Sequence, residues 1–426
     1  MTAIISVPDT RQKLEILSED AQYDLACACG SSDNEHRRRG PQGKWIYPVT
    51  LPNGGTSVLF KTLVSNVCSN DCKYCPLRAN QDVRRCTLNE EETVNTFLDY
   101  YKRGEVFGLF LSSGVLGTPD ATMERLNRIA KILRYRRSFR GYIHLKVIPG
   151  ASANAIEEAV KLSSAVSLNI ETPGAKYLAK LSDKKRFIED IVEPIKLISR
   201  LTGRGNKYHR VKQTTQFIVG AADETDSEIV KYMWGLYDRL NLRRIYFSAY
   251  QKIGDYDSNN LFSTALSKRS EDPSMPLAGT QISQNASRSC QLASLTGAAE
   301  IPGVNSLLSN QGQQVINDSF MREHRLYQVD FLLRKYGFSE SDIIFDQQGN
   351  LPLDTDPKES WARRNPQYFP VDINKASRDK LLRVPGLGQI SVDRILEIRQ
   401  SAKIHSINDV GKSNIRLRKA NEYLAY

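Results

Sequence analysis

No apolar run in this chain approaches the ~20 residues that span a bilayer, which argues against a helical membrane protein. The start, MTAIISVPDT, lacks the charged lead and apolar core of a secretory leader. Cysteine is scarce too. Seven in 426 residues, three of them within one eight-residue stretch, are too few and too clustered for a disulfide framework. These absences predict a cytoplasmic protein in a reducing compartment, where clustered thiols signal metal. Acidic residues are in deficit: 48 Asp and Glu against 59 Lys and Arg leave a net charge of +11. That balance favours a polyanionic partner without identifying one.

At about 150 residues per domain, the length allows two or three domains. Residues 1–55 read as an N-terminal extension, with helical spacing over Thr10–Tyr23, then Cys27 and Cys29, then the basic run His36-Arg37-Arg38-Arg39. From 56 to 253 strands alternate with helices. The predicted strands are Ser57–Val64, Val106–Leu111, Tyr142–Ile148, Ala165–Glu171, Gln213–Val219 and Arg244–Lys252. Amphipathic stretches such as Glu91–Arg103, Ala121–Arg136 and Ser227–Leu240 lie between them. This α/β pattern predicts a parallel sheet, either doubly wound or a curved partial barrel.

Alternation within the strands favours the barrel. Ile143, Leu145 and Val147 share a face against Tyr142, His144 and Lys146. Val166, Leu168 and Ile170 oppose Ser167, Asn169 and Glu171, and Ile245, Phe247 and Ala249 oppose Tyr246, Ser248 and Tyr250. Strands buried on both faces read as nearly continuous apolar runs. These do not, so one face is expected to carry helices and the other to line a wet lumen. His144, Lys146 and Tyr250 are the candidate catalytic groups on it, with Tyr246 beside them; an ordinary hydrogen-bonded interior is the competing reading of each.

Residues 254–315 are dominated by Ser, Asn, Gln and Gly and read as a polar insertion, disordered or a long surface excursion. Residues 316–370 read as a helix, Glu323–Tyr336 stopped by Gly337, followed by a linker over 346–370. The last segment, 371–426, carries 11 Lys and Arg against 6 Asp and Glu.

The sharpest signal is Cys68-Ser-Asn-Asp-Cys72-Lys-Tyr-Cys75, directly after the first predicted strand. Three thiolates on one short loop can hold three corners of a cubane iron–sulfur cluster and leave one iron open. Structural zinc wants a closed set of four, so a zinc knuckle would need a distant fourth ligand. Cys27, Cys29, Cys86 and Cys290 are scattered and read as ordinary thiols.

This spacing, with an aromatic before the last cysteine, resembles the radical S-adenosylmethionine (SAM) enzymes. The resemblance implies a partial (β/α)6 TIM-like barrel, a [4Fe–4S] cluster on Cys68, Cys72 and Cys75, and SAM chelated at the open iron. It implies cleavage of SAM to a 5′-deoxyadenosyl radical, with the cofactor carrying the chemistry. Tyr74 falls at the aromatic position. Ser112-Ser113-Gly114 stands where the family often has Gly-Gly-Glu for the methionine amine, without the usual carboxylate. Asn169 and Glu171 fall at the ribose position, Glu171 being the better fit. Phe217-Ile-Val-Gly220-Ala-Ala-Asp-Glu224-Thr225 resembles the motif near the adenine. An external electron donor, such as a flavodoxin or ferredoxin, follows from the same chemistry.

In the tail, Ser377 can cap a short helix carrying Leu381, Leu382 and Val384; Pro385 ends it, and Gly386-Leu387-Gly388 turns the chain into a second helix with Val392, Ile395, Leu396 and Ile398. This resembles a helix-hairpin-helix module, which implies a small all-α domain over 371–426 that binds DNA phosphates through Gly386, Leu387, Gly388 and Arg394. Side-chain-free glycines let backbone N–H groups approach a phosphate, giving affinity without sequence readout. A helical hairpin for protein contact is the alternative.

The combination resembles a family of DNA modification and repair radical SAM proteins commonly encoded beside a uracil-DNA-glycosylase-like protein, which becomes an expected partner. An RNA-modifying enzyme, or a DNA-binding protein with a structural or redox-sensing cluster, stays open.

Overall fold

The computed structural model describes residues 8–21, 46–50, 56–250, 310–412 and 414–426. Cys27, Cys29, the basic run 36–39, Cys290 and the insertion as far as residue 309 lie outside the described residues.

Seven strands form one sheet in sequence order: β1 (Ile46–Thr50), β2 (Thr56–Leu63), β3 (Gly108–Ser112), β4 (Tyr142–Lys146), β5 (Ala165–Ser167), β6 (Lys212–Val219) and β7 (Arg244–Ala249). Strands β2 to β7 pair in parallel. A doubly wound sheet reverses its strand order at a switch point; this order never reverses, so the winding is that of a partial barrel. β1 pairs antiparallel with β2 and adds an edge strand from within the residues read as an extension. It contains Pro48, which an edge strand tolerates because one side of its backbone needs no partner.

Helices α1 (Thr10–Asp20), α2 (Glu90–Lys102), α3 (Pro119–Lys131), α4 (Ala153–Leu162), α5 (Ala175–Leu181), α6 (Glu193–Thr202) and α7 (Asp226–Leu240) flank the sheet. Short polar side chains start several of them: Asn89, Thr118, Ser152 and Thr225 each accept a backbone N–H of the first turn. The strand alternation resolves as expected. Phe60, Leu109, Leu111, Ile143, Leu145, Val166, Phe217 and Phe247 are all fully buried. The opposite face carries Lys61, Phe110, His144, Ser167, Gln216 and Tyr246.

Helix α8 (Asn310–Lys335) starts well before the predicted Glu323 and lies along the free edge of β7. Its residues Glu323, Tyr327 and Asp330 recur at helical spacing. The Tyr327 hydroxyl accepts from Phe247 N–H and donates to Phe247 C=O, both at 3.0 Å, and Glu323 accepts from Ala249 N–H at 2.7 Å. Tyr237 accepts from Ile245 N–H at 2.9 Å and donates to Asp330. Side chains thus replace the missing eighth strand and satisfy the open edge.

The linker expected over 346–370 is folded instead. It contains α9 (Pro357–Arg364), capped by Asp356, and Trp361 is buried against Phe338, Tyr368 and Phe369. The C-terminal segment has its own core of Leu381, Leu382, Val384, Val392, Ile395 and others. Its helices are α10 (Arg378–Leu382), α11 (Gln389–Ile398) and α12 (Ile415–Asn421). The expectation of an all-α module is amended by a short parallel pair, β8 (Val371–Asp372) with β9 (Leu424–Ala425), which ties its ends together. Among the described residues no helix is long and apolar enough to cross a membrane.

Candidate active site

The cysteine loop leaves β2 and folds over the C-terminal end of β3. Ser69 N–H donates to Val115 C=O at 2.9 Å, Gly114 N–H donates to Ser65 C=O at 2.7 Å, and Val115 N–H reaches the Cys68 sulfur at 3.4 Å. The approach is so close that a Cβ on Gly114 would stand 2.5 Å from the Val67 carbonyl oxygen. Only glycine fits there. Arg85 holds the loop from below: its guanidinium donates to the carbonyls of Leu77, Arg78 and Gln81 at 2.8–3.1 Å and also to that of Asn66. Asn66 in turn donates to Asp20 of α1 at 2.6 Å, so the N-terminal helix braces the same loop.

A second wall comes from the residues after α5. Lys73 N–H donates to Leu181 C=O at 2.8 Å, Asp71 accepts from Asp183 N–H at 2.9 Å and from the Ser182 hydroxyl, and Lys184 donates to Ser69 C=O at 2.6 Å. Tyr74, between two of the cysteines, donates to Glu171 at 2.8 Å. Lys185 donates to the Tyr74 oxygen at 2.9 Å and pairs with Glu171 at 3.4 Å. Both charged side chains are buried. Burial opposes the charge on Lys185, yet the cysteine sulfurs and Glu171 around it outweigh that and hold its pKa above the usual value. Burial, with Glu171 next, raises Tyr74 well above 10 and keeps it a neutral donor.

Glu171 sits at φ +66°, a left-handed conformation that side chains rarely adopt and that costs on the order of 1–3 kcal/mol. Strand β5 ends at Ser167, but Glu171 rejoins β6: its N–H donates to Gln216 C=O and its C=O accepts from Ile218 N–H. This bend carries the carboxylate to the cysteine loop. One oxygen is taken by Tyr74 and Lys185; the other has a weak contact from Asn169 at 3.4 Å.

Gly220, at φ +83°, opens a turn held by Glu224, whose carboxylate accepts from Gly220 N–H at 2.5 Å and Ala222 N–H at 3.1 Å. Arg322 of α8 donates to Glu224 C=O and to Asp226 at 2.7 and 2.6 Å. Ser112 is buried at the end of β3 with its hydroxyl unpaired, and the Ser113 hydroxyl turns back to Gly114 C=O at 2.7 Å.

The structure therefore brings together Tyr74, Asn169 and Glu171, and sets Cys68 against the Ser112–Gly114 edge. His144 has other company. Its Nε2 hydrogen-bonds Ser167 Oγ at 2.9 Å, its Nδ1 faces the Tyr142 hydroxyl at 3.4 Å, and Phe110 packs on the ring. Lys146 is half-buried two residues on, and Tyr250 is half-buried at the mouth of β7. Lys61, buried over the Phe110 ring at 5.0 Å, is a lumen cation that the sequence reading passed over. Arg85, under the cysteine loop, and Lys185, whose partner Tyr74 is far away in sequence, were passed over as well.

Among the described residues, no three His, Cys, Asp or Glu side chains close into a single-ion metal site, the loop cysteines included. Burial pushes the Cys75 thiol up to about 12, so metal must displace its proton. The donor set still suits a cluster: separate irons meet separate thiolates, whereas the ligands of one zinc must converge on a point. Cys86, the remaining described cysteine, is buried toward Lys13 of α1, and burial raises it to about 11.

Residues 62–233 match the Radical SAM superfamily. That segment is a radical SAM domain, a class whose enzymes use a [4Fe–4S] cluster and SAM. Similar solved structures include HydG from Carboxydothermus hydrogenoformans, a maturase of the FeFe-hydrogenase, at 18% identity over 45% of this chain and 44% of that one, with a TM-score of 0.37. Methylornithine synthase PylB is 15% identical over 45% of this chain and 53% of that one, at 0.37. The methyltransferase TsrM from Kitasatospora setae is 15% identical over 47% and 38%, at 0.36. The chain spans between about two fifths and half the length of these proteins. No curated protein matches it.

The tail residues Gly386, Leu387 and Gly388 lie in the turn between α10 and α11. A Cβ on Gly386 would run into the Arg416 carbonyl oxygen of α12, so the close packing of the turn on that helix requires glycine here. Leu387 is buried, and its carbonyl accepts from Lys358 of α9 at 2.6 Å. Gly388 faces Tyr336, and Gln389 donates to Lys335 C=O at 3.4 Å. The hairpin turn thus docks on the end of α8. Arg394 is exposed and stands beside Gly411.

Proposed function

We propose that this enzyme acts on nucleic acid, with DNA as the first substrate to test. Cys68, Cys72 and Cys75 would hold the cluster, the Ser112–Gly114 edge the methionine end of SAM, and Asn169, Glu171 and the Gly220 turn its nucleoside. When bound, cluster and SAM supply a 5′-deoxyadenosyl radical that takes a hydrogen atom from the substrate. Tyr74 positions the loop through Glu171, and the polar lumen around His144 and Lys146, with Tyr250 at its mouth, would orient the reacting group away from water. A base inside a duplex reaches such a lumen only by extrusion or from a distorted site.

The observation that carries the nucleic-acid reading is the basic surface of the hairpin module. Its 11 cations against 6 acids include exposed Lys380, Arg394, Lys403, Lys412 and Arg418. These side chains would neutralise phosphates, and the Gly386-Leu387-Gly388 backbone would offer N–H groups beside them. An electron donor such as a flavodoxin or ferredoxin, and a uracil-DNA-glycosylase-like partner, belong to the same proposal.

Anaerobically reconstituted enzyme, given reductant and SAM, should be turned over on damaged DNA, undamaged DNA and tRNA, with the nucleosides followed by mass spectrometry. A new nucleoside from DNA supports the reading. Modification of tRNA alone moves the substrate to RNA. Methionine and deoxyadenosine without change in any nucleic acid overturns it.

A further inference from the structure

We propose that Lys185 is a positioning residue of the cofactor site: it locks the Glu171 carboxylate to the Tyr74 hydroxyl, fixes the cysteine loop to the end of β5 and sets a positive charge beside the cysteine sulfurs. This rests on the reading of Cys68, Cys72 and Cys75 as the cluster ligands.

The geometry is a closed triangle. Lys185 to Tyr74 is 2.9 Å, Tyr74 to Glu171 2.8 Å and Lys185 to Glu171 3.4 Å, and the ammonium also lies 5.5 Å from the Tyr74 ring centre. The Lys185 and Glu171 side chains are 8% and 6% exposed. An unpaired charge at such depth is strongly unfavourable, so each ion is held there by the other. Tyr74 stands between Cys72 and Cys75; restraining its hydroxyl restrains both sulfurs. The residues just before Lys185 already tie Ser69, Asp71 and Lys73 by backbone and side-chain bonds. A brace made only for shape needs no further buried cation. The Lys184 ammonium among those bonds is exposed to solvent; Lys185 adds a buried one, whose charge water screens far less.

Charge and hydrogen bonding around cluster sulfurs set the reduction potential, because reduction adds negative charge that a nearby cation stabilises. The triangle also leaves one Glu171 oxygen for a ligand hydroxyl and fixes where it points. Removing the ammonium should therefore disturb the potential and SAM binding together.

The test compares anaerobically reconstituted full-length wild type, Lys185→Met and Lys185→Arg by iron content, potentiometric EPR titration and SAM binding. In Lys185→Met the reduced-to-oxidised ratio at a fixed applied potential should fall about tenfold, a shift of about 59 mV for one electron. Its SAM affinity should also fall about tenfold, and Lys185→Arg should restore most of both. A Lys185→Met protein that holds iron with an unchanged potential overturns the proposal. If Lys185→Met takes up no cluster, Lys185→Arg decides: restored loading supports the role of charge, and loss in both variants overturns it. Wild type that binds no iron would instead refute the cluster ligands themselves.

Discussion

Lys358 donates its ammonium to the Leu387 carbonyl at 2.6 Å, across the junction between the barrel domain and the hairpin module. The contact ties α9 to the hairpin turn. It is assisted by Tyr336, whose ring centre lies 4.8 Å from the ammonium, and by an ion pair of Arg383 with Asp342 at 3.2 Å.

Burial depresses Lys358 to about 7, far below a free lysine. Between about pH 7 and 10 the unfolded chain therefore binds a proton there that the folded chain does not. Stability from this group should rise with pH across that window. Thermal unfolding from pH 7 to 10 should show the rise in wild type and its loss in Lys358→Met; parallel curves would show that the lysine stays charged in place.

Gly386→Ala and Gly388→Ala should behave differently. Gly386 sits at φ +83° with α12 backbone in the way, so alanine should destabilise the module by about 2–4 kcal/mol. Gly388 has an ordinary φ and only Tyr336 near, so its alanine variant should stay within about 1 kcal/mol of wild type. Denaturant unfolding measures both, and equal losses would contradict the packing described.

Replacing Cys68, Cys72 or Cys75 with Ala should abolish the brown colour and the roughly four irons expected per chain. Replacing Cys86 or Cys290 should leave iron bound. Iron and labile-sulfide assays after anaerobic purification decide this, and stoichiometric zinc in place of iron would refute the cluster.

Glu171→Gln should weaken SAM binding by roughly 1–3 kcal/mol, the scale of a hydrogen bond to a charged group. It should also lower stability, because Lys185 loses its buried counter-ion. Unchanged SAM affinity would remove Glu171 from the ribose site.

Duplex binding should weaken steeply with salt. Arg394→Ala and Lys412→Ala should each reduce the log–log salt slope by about one without changing sequence preference. Fluorescence anisotropy at several salt concentrations measures this; slopes that stay put would take DNA off this face.

Much of the barrel was legible because it is local. Alternation in Tyr142–Lys146 and Ala165–Ser167 separated the helix face from the lumen, and the spacing of Cys68, Cys72 and Cys75 singled out the loop that folds over the end of β3. Lys185 was not legible, since nothing near it in sequence announces Tyr74, and Arg85 was not, since the backbone carbonyls it meets occur at every residue and leave no side-chain signal. The helix that carries Trp361 was missed inside a Pro- and Asp-rich stretch, although Asp356-Pro357 is a helix start of the usual kind. The hairpin pattern around Gly386 was read correctly as a turn between helices. What the turn faces depends on α8 and α12, and no local pattern encodes that.

The edge of β7 has a consequence for biosynthesis. Phe247 receives its outer hydrogen bonds from Tyr327, a residue 80 positions later. A ribosome that has released β7 has still to make the residues that close it. Until then the nascent sheet offers Phe247 and Ala249 as unclaimed donors, the surface on which strands of other chains add. A chain cut short before residue 310 would keep that surface for life, and aggregation, not loss of cofactor, would be its first defect.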